Sequence, residues 1–246
     1  MAFITCNFHS KVLQKSVQFN TIIPPGKEKG SRVLYLLHGI SDDYSAWCRN
    51  TAIERYANEA GLVVVMPDGG RSFYVDMENG SPYYSFFIEE FFPYISNLFS
   101  ISTKREDTFI AGLSMGGYGA LSFALRNPDF FAAAASLSGP VDICGRLQFD
   151  PRWSEIQRLV FGEGKNPANT PHDLFYLVKN YTAKNIPRLY LSCGTSDFLY
   201  KDNLRFQETL SHTNIPHRFD FSTGVHDWAF WDVSIQNAIS FLLQNK

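Results

Sequence analysis

The chain has 246 residues, of which 45% are hydrophobic and 19% charged, with a formal net charge of −2. That length suits one domain with a sizeable core. Near-neutral charge gives no electrostatic reason to bind nucleic acid or an anionic membrane, so neither partner is expected.

No stretch approaches the roughly 18 apolar residues of a membrane helix. The N-terminal "MAFITCNFHSKVLQKSVQFN" lacks the basic-then-apolar pattern of a secretion signal, so a cytoplasmic location is expected. Cys6, Cys48, Cys144 and Cys193 are scattered without a CxxC pair, which points to free thiols and to no metal site.

In chain order, "SVQFNTIIP" reads as an antiparallel entry strand and "RVLYLLHG" (32–39) as a strand buried on both faces. A helix around "TAIERYANEAG" follows, then a second buried strand, "LVVVMPDGG" (62–70). "SFFIEEFFPYISNLF" is a helix that Pro93 kinks. The strand "TFIAG" (108–112) leads through Ser114 into "GYGALSFALRNP", where Ala120, Phe123 and Ala124 recur at helical spacing until Pro128. Strands "FAAAASLSG", "PRLYLSCG" and "HRFDFSTG" come next, and "VSIQNAISFLLQNK" is the last helix.

Continuous apolar strands separated by helices imply a mostly parallel sheet covered on both faces, a three-layer α/β sandwich. Residues 141–186, rich in turn residues with only short helical patterns, break the rhythm. They read as a cap-like insertion over the sheet, within a single domain spanning 1–246.

Gly112, Ser114 and Gly116 form G-x-S-x-G at a strand-to-helix turn, the nucleophile elbow that lifts a serine hydroxyl above the carboxyl edge of a sheet. The competing reading is a packing turn whose serine caps the helix. A serine hydroxyl needs a base, and in this topology the acid and the histidine follow it in that order. His226, in "STGVHDWAFWD" between the final strand and the final helix, is placed to reach back to Ser114. His172, His212 and His217 read as surface residues.

Asp197, in the loop after "RLYLSC", is the expected acid, with Asp142 one strand earlier as its rival. Asp227 reads as a loop-bracing charge. Oxyanion donors should be the backbone N–H groups of Met115, after the nucleophile, and of Ile40, after the "LLHG" strand. His38 reads as a loop brace. Trp47 is either pocket wall or plain packing, and Phe73, Tyr74, Trp228 and Trp231 are the other aromatic candidates for the substrate pocket.

"LLHGISDDYSAW", "VVVMPDGGRSFY", "FFIEEFFPYI", "FIAGLSMGGYGAL", "SLSG", "CGTSDF" and "GVHDWAFW" together resemble the esterase D, or putative-esterase, family of α/β-hydrolases over roughly residues 5–242. That family includes S-formylglutathione hydrolases, feruloyl and acetylxylan esterases, mycolyltransferases and small tributyrin esterases, and the chain is most similar to the last. The resemblance implies Ser114 as nucleophile, Asp197 and His226 as its relay, Ile40 and Met115 as oxyanion donors, and no cofactor. It implies a carboxylesterase acting on a small-molecule, short-acyl ester through an acyl-enzyme.

The alternatives are a deacetylase or feruloyl esterase on oligosaccharide esters and, ranked last because such chains are generally longer, an S-formylglutathione hydrolase. A non-catalytic scaffold has no need of all three groups. A homo-oligomer is compatible with the sequence.

Overall fold

The computed structural model describes residues 1–26, 30–99 and 101–244. Eight strands form one sheet in the order β1-β2-β4-β3-β5-β6-β7-β8. They are β1 (Ala2–Ser10), β2 (Lys15–Ile23), β3 (Val33–Leu37), β4 (Val63–Pro67), β5 (Thr108–Leu113), β6 (Ala133–Leu137), β7 (Arg188–Gly194) and β8 (His217–Ser222). β1 pairs antiparallel with β2 and β2 with β4, and every later neighbour is parallel.

The β3 run "VLYLL" is buried throughout because its side chains alternate between two cores. Val33, Tyr35 and Leu37 join the core that contains the helix Met115–Arg126, whereas Leu34 and Leu36 face the one that contains Ile53–Ala60 and Trp228–Leu242. Helices therefore cover both faces, as the apolar strand runs imply. Among the described residues no helix is long and apolar enough to cross a membrane.

Several elements differ from the sequence expectation. Residues 2–10 carry no expected element yet form β1, an edge strand in which only alternate residues are shielded, Ile4, Cys6 and Phe8 among them. Tyr200–Ser211 is likewise an unanticipated helix. The last helix starts five residues early, at Trp228, because the Asp227 carboxylate accepts the Phe230 N–H and caps it; the expected end at 245–246 lies outside the described residues. Where Pro93 was expected to kink the helix, a wide π turn, Phe86–Phe91, precedes it, with the Phe92 N–H donating five residues back to Phe87. Proline has no N–H for the Glu89 carbonyl, and the wider turn takes up that mismatch.

The 141–186 segment contains the short helices Ile143–Phe149 and Leu174–Lys179 and a π turn, Gln157–Phe161. Carbonyls at the end of a helical stretch lack intrahelical donors. Here the Glu78 and Asn79 N–H groups donate to the carbonyls of Val160 and Leu159, both at 3.0 Å, and fasten the segment to the loop after β4. Arg71 pairs with Glu155, and Lys165 with Glu78, across the same seam.

The helix Met115–Arg126 lies close under β3 and β5. A Cβ on Gly116 would sit 2.5 Å from the Leu37 carbonyl oxygen and 2.7 Å from that of His38, and one on Gly112 would sit 2.4 Å from the Gly116 backbone. Backbone on every side leaves nothing flexible to yield. Gly116→Ala should therefore lower unfolding free energy by about 1–3 kcal/mol, read from the urea midpoint; an unchanged midpoint would mean that helix and strand separate freely.

Candidate active site

Ser114 sits between β5 and its helix at φ 48°, ψ −120°, a conformation that non-glycine residues avoid. Such a turn costs on the order of 1–3 kcal/mol and persists only where its surroundings over-determine it. They do so here: the Ser114 N–H donates to the Leu137 carbonyl at 2.8 Å, and its own carbonyl accepts from Gly117 at 2.8 Å and Tyr118 at 3.2 Å.

His226 lies in the loop between β8 and the last helix. Its Nε2 is 3.1 Å from Ser114 Oγ, and its Nδ1 is 2.8 Å from Asp197 Oδ2. The loops bearing the two residues are joined by main-chain bonds, Thr195 N–H to Ser222 O at 2.9 Å and Ser196 N–H to Gly224 O at 3.0 Å. Burial pushes the Asp197 carboxyl up, but hydrogen bonds and charge from His226, with donors from Leu199 and Ser138, outweigh it and hold the group below the usual carboxylate value. An ionised Asp197 accepts a hydrogen bond from Nδ1–H, which fixes the proton there and leaves the Nε2 lone pair for the serine hydroxyl. Such an arrangement can draw a proton from Ser114 as it attacks a carbonyl.

Asp142 stands apart. Its carboxylate caps the helix Ile143–Phe149 through the Gly145 N–H at 2.9 Å and pairs with Arg205. His38 is a brace: Nε2 accepts the Gly69 N–H at 2.9 Å while Nδ1 contacts the Gly39 carbonyl at 2.7 Å. His172, within the 141–186 segment, is half-buried and not a fully solvated surface residue, and burial lowers its pKa.

Ser114 opens into a cavity of about 550 Å³, lined also by Ile40, Met115, Phe73, Trp228 and Trp231. Met115 begins the helix, so its N–H has no carbonyl one turn behind it. The β3 loop runs alongside, since a Cβ on Gly39 would lie 3.8 Å from Ser114 Cβ.

Two expected wall residues are elsewhere. Trp47 is buried and donates from Nε1 to the Leu37 carbonyl at 3.0 Å, its ring against the edge of Trp228. Tyr74 is wedged where side chains on Gly69 and Gly119 would otherwise stand, with its hydroxyl on the His38 carbonyl at 3.0 Å. Both hold the loops that shape the cavity.

Conversely, Trp153, Ile156, Phe198, Asp42 and the Arg71–Glu155 pair line the cavity without having been anticipated. Phe198, 49% exposed, follows Asp197 directly and lies 4.7 Å from the His226 ring. A large apolar residue inside the polar "TSDFLY" loop was the one signal available for it.

Residues 10–242 match the family described as "Putative esterase". The chain belongs to this esterase family. An acetyl esterase from Caldicellulosiruptor saccharolyticus is 32% identical, with 98% of each chain covered. Among solved structures, the fluorophosphonate-binding serine hydrolase FphF of Staphylococcus aureus is 38% identical with a TM-score of 0.92, and 99% of each chain is covered. A Staphylococcus aureus S-formylglutathione hydrolase, FrmB, is 38% identical with a TM-score of 0.85 and the same coverage. The esterase therefore has the α/β-hydrolase fold, and chain length does not set it apart from that last structure.

The contrast between the two carboxylates is testable. Asp197→Asn, which presents the wrong imidazole tautomer, should lower kcat on an aryl ester by about 10⁴-fold. Asp142→Asn should leave kcat within about threefold and stability within about 1 kcal/mol, because asparagine caps a helix as well as aspartate does and only the half-exposed pair with Arg205 is weakened. Swapped outcomes would move the acid to the earlier loop.

Proposed function

We propose that this esterase is a serine carboxylesterase for short-chain acyl esters. The observation that carries the reading is the 3.1 Å approach of His226 Nε2 to Ser114 Oγ on the floor of an aromatic-walled cavity. Ser114 Oγ attacks the ester carbonyl carbon as His226 takes its proton, and the N–H groups of Ile40 and Met115 receive the developing oxyanion. Collapse expels the alcohol, which takes the proton from His226 and leaves an acyl-Ser114. Water, deprotonated by His226, then attacks the acyl carbon, and the acid departs as His226 returns that proton to Ser114 Oγ.

The short-acyl preference is supported by the similarity to an acetyl esterase and by the rings of Phe73, Trp153, Trp228 and Trp231 around the serine. A second reading, hydrolysis of a formyl thioester, is favoured by the likeness to the Staphylococcus aureus S-formylglutathione hydrolase, and formyl is the smallest acyl group such walls could admit. Esters on oligosaccharides are the third.

Ser114→Ala should lower kcat by about 10⁴–10⁶-fold, and a fluorophosphonate should label the wild type and not the variant. Each added methylene contributes about 0.8 kcal/mol while room remains. For p-nitrophenyl esters from about two to twelve carbons, kcat/KM should thus rise toward butyryl and then fall. A maximum at about eight carbons or beyond would exclude the short-acyl reading, and S-formylglutathione turned over far faster than every acyl ester would favour the thioesterase.

A further inference from the structure

A turn in the loop after β4 is strained and touches both sides of the proposed oxyanion site. Phe73 and Tyr74 are consecutive residues at φ 53° and φ 58°, and the Val75 N–H closes the turn onto the Ser72 carbonyl at 3.2 Å. Positive φ at both central positions of a turn favours asparagine and glycine, so the two aromatic residues are held there against their preference. The buried Ser72 hydroxyl locks the turn, donating to the Gly69 carbonyl at 2.6 Å and accepting the Tyr74 N–H at 2.9 Å. Strain kept in place by its surroundings points to a use for it.

Contacts from this turn reach both donors. The Phe73 N–H, buried and in need of an acceptor, donates to Met115 Sδ at 3.3 Å. The Tyr74 hydroxyl donates to the His38 carbonyl at 3.0 Å, while the Gly69 N–H donates to His38 Nε2 at 2.9 Å. With Nε2 accepting, Nδ1 carries the proton and donates to the Gly39 carbonyl at 2.7 Å, which also accepts the Asp42 N–H at 3.3 Å. The Gly39 carbonyl and the Ile40 N–H belong to one planar trans peptide, so an oxygen held by His38 and Asp42 turns the N–H to the opposite side.

We infer that Tyr74 is a positioning residue for the oxyanion donors: the strained turn holds Met115 by its sulfur and the Gly39–Ile40 peptide through His38, and so sets the spacing between the two N–H groups. This rests on the proposed roles of Ser114 as nucleophile and of Ile40 and Met115 as donors. Glycine at position 74 would relax the turn but remove the hydroxyl that holds His38. Tyr74 does not line the cavity, so it meets no substrate.

The test compares Tyr74→Phe with wild type, Ser114→Ala and Tyr190→Phe, the last removing a hydroxyl that donates to Asp220 Oδ2 at 3.0 Å in the opposite core. Each is assayed on a short aryl ester and with butylboronic acid, whose boron accepts Ser114 Oγ and becomes a tetrahedral anion resembling the transition state. Tyr74→Phe should lower kcat about tenfold to hundredfold, less than outright loss of an oxyanion donor, and weaken boronate binding by the same factor. KM should stay within about twofold because the cavity is untouched. The acid limb of the kcat/KM profile should stay in place, since His226 and Asp197 keep their contacts, and Tyr190→Phe should match wild type throughout. Should Tyr74→Phe not fold, Met115→Leu decides: it keeps its N–H and nearly its volume but loses the sulfur, and should show the same pattern at about threefold to tenfold.

Wild-type kcat in the deciding variant overturns the inference. So does a fall in kcat without matching loss of boronate affinity, a raised KM with unchanged kcat, or an acid limb that moves. Equal boronate binding by wild type and Ser114→Ala would instead remove the proposed nucleophile and its donors, and this inference with them.

Discussion

Everything around Ser114 depends on how closely one helix is pressed against the sheet. Main-chain oxygens of Leu37 and His38 occupy the space that a side chain on Gly116 would need, so the helix Met115–Arg126 begins almost in contact with the end of β3. That proximity brings the loop after β3 beside the nucleophile turn and sets Ile40 and Met115 on one cavity wall. The proposed pair of oxyanion donors, from two distant stretches of chain, depends on that proximity. Strain at Ser114 accompanies this packing and is held by three main-chain hydrogen bonds.

The second requirement is a rigid imidazole, and it is met largely by apolar and aromatic neighbours. Trp231 and Phe198 contact the His226 ring, and Trp47, Trp228 and Trp231 pack edge to face behind it. Edge-to-face packing is directional, so it limits ring rotation as well as excluding water. Asp197 then has to fix only the tautomer.

How far the site could be read from the sequence follows from what periodicity and punctuation encode. The strand-turn-helix around Ser114 was legible because its glycines are local consequences of backbone crowding. Asp197 and His226 were legible as loop positions after successive strands, since parallel topology places such loops at one edge of the sheet. Which way a ring points was not. Trp47 and Tyr74 sit in loops beside the site but turn inward onto main-chain carbonyls, while Trp153 reaches the cavity from a segment with no regular pattern. Those directions are set by tertiary packing. β1 escaped notice for a related reason, because an edge strand shields only alternate residues and three moderately apolar positions make a faint signal.

The attachment of the 141–186 segment bears on how such a protein can change. Trp153 and Ile156 form part of the cavity wall, yet the main-chain clasp of their segment joins the N–H groups of Glu78 and Asn79 to the carbonyls of Leu159 and Val160. Amide-to-carbonyl bonds are indifferent to the identity of the side chains beside them. Apolar wall residues on this segment, Trp153 and Ile156, can therefore be exchanged one at a time while the main-chain seam stays closed, so selectivity can drift along a lineage without each step risking collapse of the fold.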